Sequence, residues 1–330
     1  MPKVSITMAT YNVAPYLREC LESVCNQTFR DIEIIIIDDN SKDGTKDILE
    51  EYRLKDDRIQ IVLKNKNEGL SVSRNTALSM AKGDYVTFVD GDDIIDLTLI
   101  EKAYTNLVSN NTDLVLWDYC PFYDSRQISD IDRKASSMIT LKCNDKTALL
   151  KRPGFACSRM FKRELVDKFN LHFPEGLTKQ DIPIHWKLVT ALEKISILPE
   201  RLYFYRVQPT ATSARKDRSV FSLAYVMDIV KKQLLQDGLY DTYKNEFLCQ
   251  KVSRLQGMYD FVKPEYKTEA MEIIKERLDN DCKIYIYSPK CECSYRTIRF
   301  FKGYFYGNLI AKLQYDFIML TRSFYRLIKR

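Results

Sequence analysis

The chain has 330 residues, 45% of them hydrophobic, a formal net charge of +6, and ten each of glycine and proline. That much apolar material builds a large core and excludes global disorder, collagen-like fibres and low-complexity chains. The charge is modest for the length and does not by itself argue for nucleic acid. Nine cysteines at scattered spacing, with two histidines and no paired C-x-x-C elements, argue against structural zinc and for reduced thiols in a cytosolic chain.

Met1-Pro2-Lys3 runs straight into a β-prone stretch at residues 4–8, so no secretory leader is expected. No window reaches the ~18 apolar residues of a spanning helix. Ala9-Thr10-Tyr11-Asn12 is a loop, and Leu17, Leu21 and Val24 recur at helical spacing within 15–27. Residues 32–37 are an almost unbroken β-branched run, the pattern of a strand buried on both faces of a parallel sheet. Turn formers follow over 38–44, then a helical pattern over 45–52. Strand 59–63, a break at Asn67-Glu68-Gly69, helix 71–81 with Gly83 beyond it, and strand 85–89 continue the alternation. Asp90-Gly91-Asp92-Asp93, helix 97–108 and strand 113–119 come next.

Strand and helix alternate over residues 4–119, which predicts a doubly wound α/β domain with a mostly parallel sheet. Ligands bind such sheets beyond the carboxyl ends of the strands. The polar clusters 10–12, 38–43 and 90–93 each follow a strand, so they are expected to converge on one edge. Beyond them, 127–146 reads as a loop-rich excursion, 155–169 as helical in its second half, and 176–192 as a loop and then a helix. Residues 202–205 read as a strand, 208–218 as a polar loop, and the chain from about 220 onward as helical. The expected division is 1–218 for the α/β domain and 219–330 for a helical C-terminal region.

Three carboxylates within Asp90-Gly91-Asp92-Asp93 repel one another unless a cation neutralises them, and hard oxygen donors suit Mg²⁺ or Mn²⁺. The alternative is a solvated acidic turn with a helix cap. Asp38 and Asp39 can accept hydrogen bonds from a base or ribose, or serve an Asx turn. Arg74 can neutralise a diphosphate, or stand as a surface arginine. No G-x-G-x-x-G follows the first strand, and neither a P-loop nor a G-x-S-x-G element occurs, which disfavours dinucleotide oxidoreductases, P-loop enzymes and α/β-hydrolases.

The chain resembles glycosyltransferase family 2, with a GT-A fold, over residues 3–215. The resemblance is carried by Val4-Ser5-Ile6-Thr7-Met8-Ala9-Thr10-Tyr11-Asn12, by Gln27-Thr28-Phe29, and by Ile37-Asp38-Asp39-Asn40-Ser41-Lys42-Asp43-Gly44-Thr45. Asn67-Glu68-Gly69 through Arg74-Asn75 and the D-x-D element complete it. It implies an inverting, metal-dependent transfer of a hexosyl or N-acetylhexosaminyl group from a nucleotide donor, most commonly a UDP-sugar. The acceptor would be a hydroxyl of a glycan or lipid-linked molecule in cell-surface polysaccharide synthesis. Thr10 and Tyr11 would line the nucleotide pocket, Asp39 would bind the base, and Arg74 would sit near the diphosphate. Asp90 would hold ribose or metal, and Asp92 would bind Mg²⁺ or Mn²⁺ directly.

The family also places a catalytic aspartate after a glutamate and before a helix. Asp181 matches that base, with Gln180 where the glutamate usually stands. Pro183 suits a first helical turn, and the helix dipole would favour a charged Asp181. Taken alone, Asp181 reads as a helix cap. Arg206, Ser213 and Arg215 resemble the family's flexible loop over the diphosphate, or are ordinary loop charge.

Residues 295–330 hold Arg296, Arg299, Lys302, Lys312, Arg322, Arg326, Lys329 and Arg330 against a single acid, Asp316, interleaved with aromatic residues. That mixture suits a helix on an anionic membrane at the inner face of the cell membrane, or a helix pair packed on protein. A homo-oligomer is compatible with the sequence, and no nucleic-acid module is present. The competing functional classes are a non-catalytic nucleotide-sugar-binding subunit, which Gln180 favours, and a nucleotidyltransferase. The latter needs a glycine-rich basic phosphate loop that residues 7–13 lack.

Overall fold

The computed structural model describes residues 1–134, 145–208 and 214–328, with helix backbone alone from 322 onward. Two compact units are present, Met1–Ala214 and Arg215–Arg330.

The first unit opens with β1 (Val4–Thr10), α1 (Ala14–Cys25), β2 (Ile32–Asp38), α2 (Thr45–Lys55), β3 (Ile59–Leu63), α3 (Leu70–Met80) and β4 (Tyr85–Asp90). It continues with β5 (Ile94–Ile95), α4 (Leu99–Ser109), β6 (Leu114–Leu116), β7 (Tyr119–Phe122) and α5 (Lys146–Leu150). It closes with β8 (Arg159–Lys162), α6 (Glu164–Lys168), α7 (Asp181–Ala191), β9 (Ile195–Ile197) and β10 (Tyr203–Arg206). Seven strands form one sheet in the order β3-β2-β1-β4-β8-β6-β9, and β5-β10-β7 form a small second sheet. The large sheet is parallel except for β8, which runs antiparallel to both neighbours. This is the expected α/β architecture.

β2 is buried along its whole length, as a β-branched run covered on both faces must be. Its one mid-strand charge, Glu33, is compensated rather than exposed. Ser5 Oγ donates to it at 2.6 Å, the Lys82 amide at 2.7 Å and the Gly83 amide at 3.1 Å. Gln27 ties α1 to the next layer: its side-chain amide donates to the Asp96 carbonyl at 2.8 Å and its carbonyl accepts from the Ile100 amide at 3.1 Å.

One sequence expectation changes. The stretch expected as strand 113–119 divides into β6 and β7, which lie in different sheets. The second half of 155–169 is helical as expected, in α6, and the preceding Arg159–Lys162 is a strand that no sequence pattern announced. That strand is set by tertiary pairing: Met160 sits opposite Thr87 of β4 and Val115 of β6.

The second unit is helical among its described residues: α8 (Ser222–Gln236), α9 (Tyr240–Phe261), α10 (Lys267–Arg277), α11 (Asn280–Tyr287), α12 (Tyr295–Tyr304) and α13 (Leu309–Ile328). Asp279 organises it. Its carboxylate caps α11 at the Cys282 amide (3.0 Å) and accepts from Lys231 (2.7 Å) and Lys251 (3.1 Å). At Gly303 the backbone of α13 comes so close that a β-carbon would lie 2.6 Å from Lys312 Cα. No described helix is long and apolar enough to cross a membrane.

Candidate active site

The register of the parallel strands builds the site. Thr10 of β1 stands level with Asp38 of β2, and Ala9 with Asp90 of β4. The loops after the three central strands therefore leave the sheet at one height and on one edge.

Most of the polar groups in the first two loops are spent on shaping them. Asp38 accepts from Thr10 Oγ1 at 3.2 Å and from Ser41 through its hydroxyl (2.5 Å) and amide (2.9 Å). Asp39, buried, accepts from the amides of Glu68 (3.0 Å) and Gly69 (2.7 Å), joining the end of β2 to the start of α3. Gly69 has φ of +92°, the left-handed region, which turns its amide toward Asp39. Tyr11 is half exposed at the edge. Thr10 and Asp39, candidates for contact with a nucleotide, thus also hold the pocket's own walls.

The acidic turn is not three equivalent ligands. Asp93 is fully buried and accepts from Tyr203 Oη at 2.6 Å and the Arg206 amide at 2.8 Å, so it anchors the turn to β10. Burial, followed by repulsion from Asp92 and Asp90, raises its pKa well above the carboxylate range. Gly91 lets the turn lie against β1, since a β-carbon there would come 2.9 Å from Thr10 Cγ2. Asp92 accepts from Gln208 Nε2 at 2.7 Å; burial first, and then the charge of Asp90, push its pKa up to about 6. Asp90, partly exposed, accepts from Arg74 Nη2 at 2.6 Å.

The ligand atoms of Asp90, Asp93 and Cys157 lie within 4.8 Å of one another. Cys157 is a soft donor whose pKa burial raises far above normal, and both oxygens of Asp93 are already engaged. The expected ligand Asp92 is not in this group, and Asp90 is the member of it with a carboxylate suited to a hard cation and partly exposed. A cation beside Asp90 would offset the burial, and then the repulsion from Asp90, that raise the pKa of Asp92, and the carboxylate oxygens of the turn are of the type that suits Mg²⁺ or Mn²⁺.

Arg74 connects this turn to Asp181. α3 clamps the segment leading to α7: Asn75 exchanges hydrogen bonds with the Phe173 backbone (2.7 and 3.0 Å), and Ser71 donates to the Pro174 carbonyl at 2.7 Å. The buried Arg74 guanidinium lies over the Phe173 ring at 5.4 Å. Burial opposes its charge, but Asp90 and Asp181 together hold it protonated. Asp181 is the first residue of α7, and Gln180 before it is buried and makes no side-chain cap. Burial raises the pKa of Asp181, with Arg74 and then Arg159 pulling it back.

Arg159 had no sequence signal, since no motif or period marked its segment. It is fully buried in β8, where its Nε and Nη2 donate to the Phe155 carbonyl (3.2 and 2.9 Å) and its Nη1 has no hydrogen-bond partner among the described residues. Burial lowers its pKa to about 10, against the pull of Asp181.

Arg206 lies in β10 rather than in a loop. Its guanidinium donates to the Asp92 carbonyl (2.7 Å) and to Glu19 (2.6 Å), and is stacked between Phe122 (4.5 Å) and Tyr16 (4.9 Å). Ser213 lies outside the described residues. Arg215 is exposed and begins the second unit.

The profile of Glycosyl transferase family 2 matches residues 5–169. The Bacillus subtilis (strain 168) glycosyltransferase EpsJ is 32% identical over 64% of this chain, and the chain spans 63% of that relative's length. Staphylococcus aureus TarS 1–349, solved in complex with UDP-GlcNAc, superposes with a TM-score of 0.70 at 23% identity, covering 84% of this chain and 82% of that one. A Pyrobaculum calidifontis mannosyltransferase solved with GDP-Man and Mn²⁺ gives a TM-score of 0.52 at 19% identity, covering 88% and 82%. These likenesses identify the first unit's sheet as the GT-A fold.

Proposed function

We propose, from the premise that this chain belongs to glycosyl transferase family 2, that it is a metal-dependent, inverting glycosyltransferase using a nucleotide-sugar donor. The donor is a UDP-sugar and the acceptor a hydroxyl of a glycan or lipid-linked molecule in cell-surface polysaccharide synthesis. The complexes of TarS with UDP-GlcNAc and of the mannosyltransferase with Mn²⁺ support donor class and metal class by analogy.

The observation that carries the reading is Arg74, a buried cation bonded to Asp90 of the acidic turn and near enough to Asp181 at the head of α7 for their charges to interact. That proximity supports reading the acidic turn and Asp181, ninety-one positions apart in sequence, as parts of one site. Asp92 and Asp90 would hold the divalent ion, which supplies charge neutralisation at the departing diphosphate. Asp181 takes the proton from the acceptor hydroxyl as that oxygen attacks the anomeric carbon from the face opposite the nucleotide. The C–O bond to the diphosphate breaks as the new glycosidic bond forms, which inverts the anomeric centre. Arg74 favours the ionised form of Asp181 against its burial and orients Asp90; Asp93 and Arg206 fix the turn.

The direct test is a panel of nucleotide sugars assayed for hydrolysis and transfer with Mg²⁺ or Mn²⁺. One or more UDP-sugars should be consumed, and EDTA should abolish the reaction. Consumption that survives EDTA removes the metal from the reading. Absence of turnover with every donor favours the non-catalytic binding subunit.

A further inference from the structure

α13 has two unlike faces. On one, Ala311 and Tyr315 are 0% and 2% exposed, Tyr315 donates to Asp260, and its ring lies 5.1 Å from that of Phe300. On the other, Leu309, Ile310, Leu313, Phe317 and Leu320 stand 60–69% exposed. At 3.6 residues per turn these five fall in one arc about 100° wide. In the sequence the same spacing continues to Phe324. A row of five large apolar side chains in water is costly, and an isolated exposed leucine is not comparable to it.

Charge identifies what covers this row. Residues 295–330 carry eight lysines and arginines and one acid, Asp316, which is engaged by Tyr304 Oη at 2.6 Å. A second copy of the chain would bring the same positive excess to the contact and be repelled. An anionic surface is attracted. α13 is not apolar enough to span a bilayer, whereas one apolar arc on a helix with three basic residues and one acid, followed in sequence by Lys329 and Arg330, is the pattern of a helix lying in the interface.

We propose that the Leu309–Leu320 face of α13 docks on an anionic phospholipid leaflet, with the apolar row at the acyl boundary and the lysines and arginines among the headgroups. The inference does not depend on the transfer reaction, since binding alone reads it out.

The test is sedimentation of the full chain with vesicles of phosphatidylcholine alone or mixed with phosphatidylglycerol, without nucleotide. Binding should be strong to the mixed vesicles, weak to neutral ones, and reduced by about 0.5 M salt. The double variant Leu313→Glu/Phe317→Glu changes only exposed side chains, so its far-UV circular dichroism should match wild type while its partitioning falls at least ~10-fold. An Asp181→Asn chain should bind vesicles like wild type, which separates this inference from the enzymatic one. Equal binding by the double variant, or no wild-type binding to anionic vesicles, overturns the proposal. So does a wild-type dimer in light scattering that the double variant converts to monomer without any vesicle binding, which would assign the face to self-association.

Discussion

Asp181 opens α7, and burial works against its charge while Arg74 and Arg159 work for it. A general base must be ionised to act. Replacing it with Asn should lower turnover by roughly 10²–10⁴-fold. Calorimetry should find donor affinity nearly unchanged, and a variant that keeps wild-type turnover would remove Asp181 from the role of base. The raised pKa sets the sign of the pH dependence. The rate should climb through a pKa above the ordinary carboxylate range and level off beyond it, and Arg74→Ala, which removes an attracting charge, should move that limb to still higher pH. On stability the same shift acts in reverse. The fold favours the protonated group, so its contribution is present in acid and is lost as pH rises through the raised pKa. At this scale the residue types were legible before the fold, but their division of labour was not. Asp90, Asp92 and Asp93 look alike in sequence, and only the bonds from Tyr203 and the Arg206 amide make Asp93 an anchor. Arg206 looks like loop charge until Phe122, Tyr16 and Glu19 enclose it.

Among the elements, β4 with its acidic turn and α3 with its clamp on Phe173 and Pro174 determine whether the site assembles. Gly83 stands at the entry to β4, where a β-carbon would come 2.6 Å from the Ser5 amide nitrogen and 2.8 Å from the Val4 carbonyl carbon, both backbone atoms of β1. Gly83→Ala must therefore separate β1 from the start of β4 and disturb the Glu33 network. Urea denaturation should show a loss of about 2 kcal/mol or more; an unchanged midpoint would mean that the strand end yields without cost. Periodicity located β1 through β4 well because each of these strands follows its partner in a regular alternation. It missed β8, because an antiparallel strand placed between β4 and β6 is specified by neighbours distant in sequence, and its four residues are too few to show a period.

At the scale of the molecule, the two units are built on different electrostatics. In the second, burial alone would raise the pKa of Asp279, but Lys231, the Cys282 amide and Lys251 overcome it and hold the carboxyl far below the usual range. This group contributes stability above its unfolded pKa of about 3.9, and the contribution is lost as pH falls through the lowered value. Acid should therefore weaken the helical unit, the opposite sign to Asp181. In a circular-dichroism titration of the full chain, Asp279→Asn should start less stable at neutral pH and lose less on acidification. The sequence shows alternating periods giving way to helical ones, whereas the clamp at Asp279 joins three separate helices and leaves no local trace. One feature of the first unit reaches beyond its own reaction. Because β2, β1 and β4 end level, each functional loop begins from the same height whatever its length or composition. An insertion or exchange in one loop changes what that wall recognises without shifting the strands or the other walls. Under selection such a sheet can trade one substrate for another by altering loops alone, and a laboratory graft of a loop from a relative has the same fixed points to join.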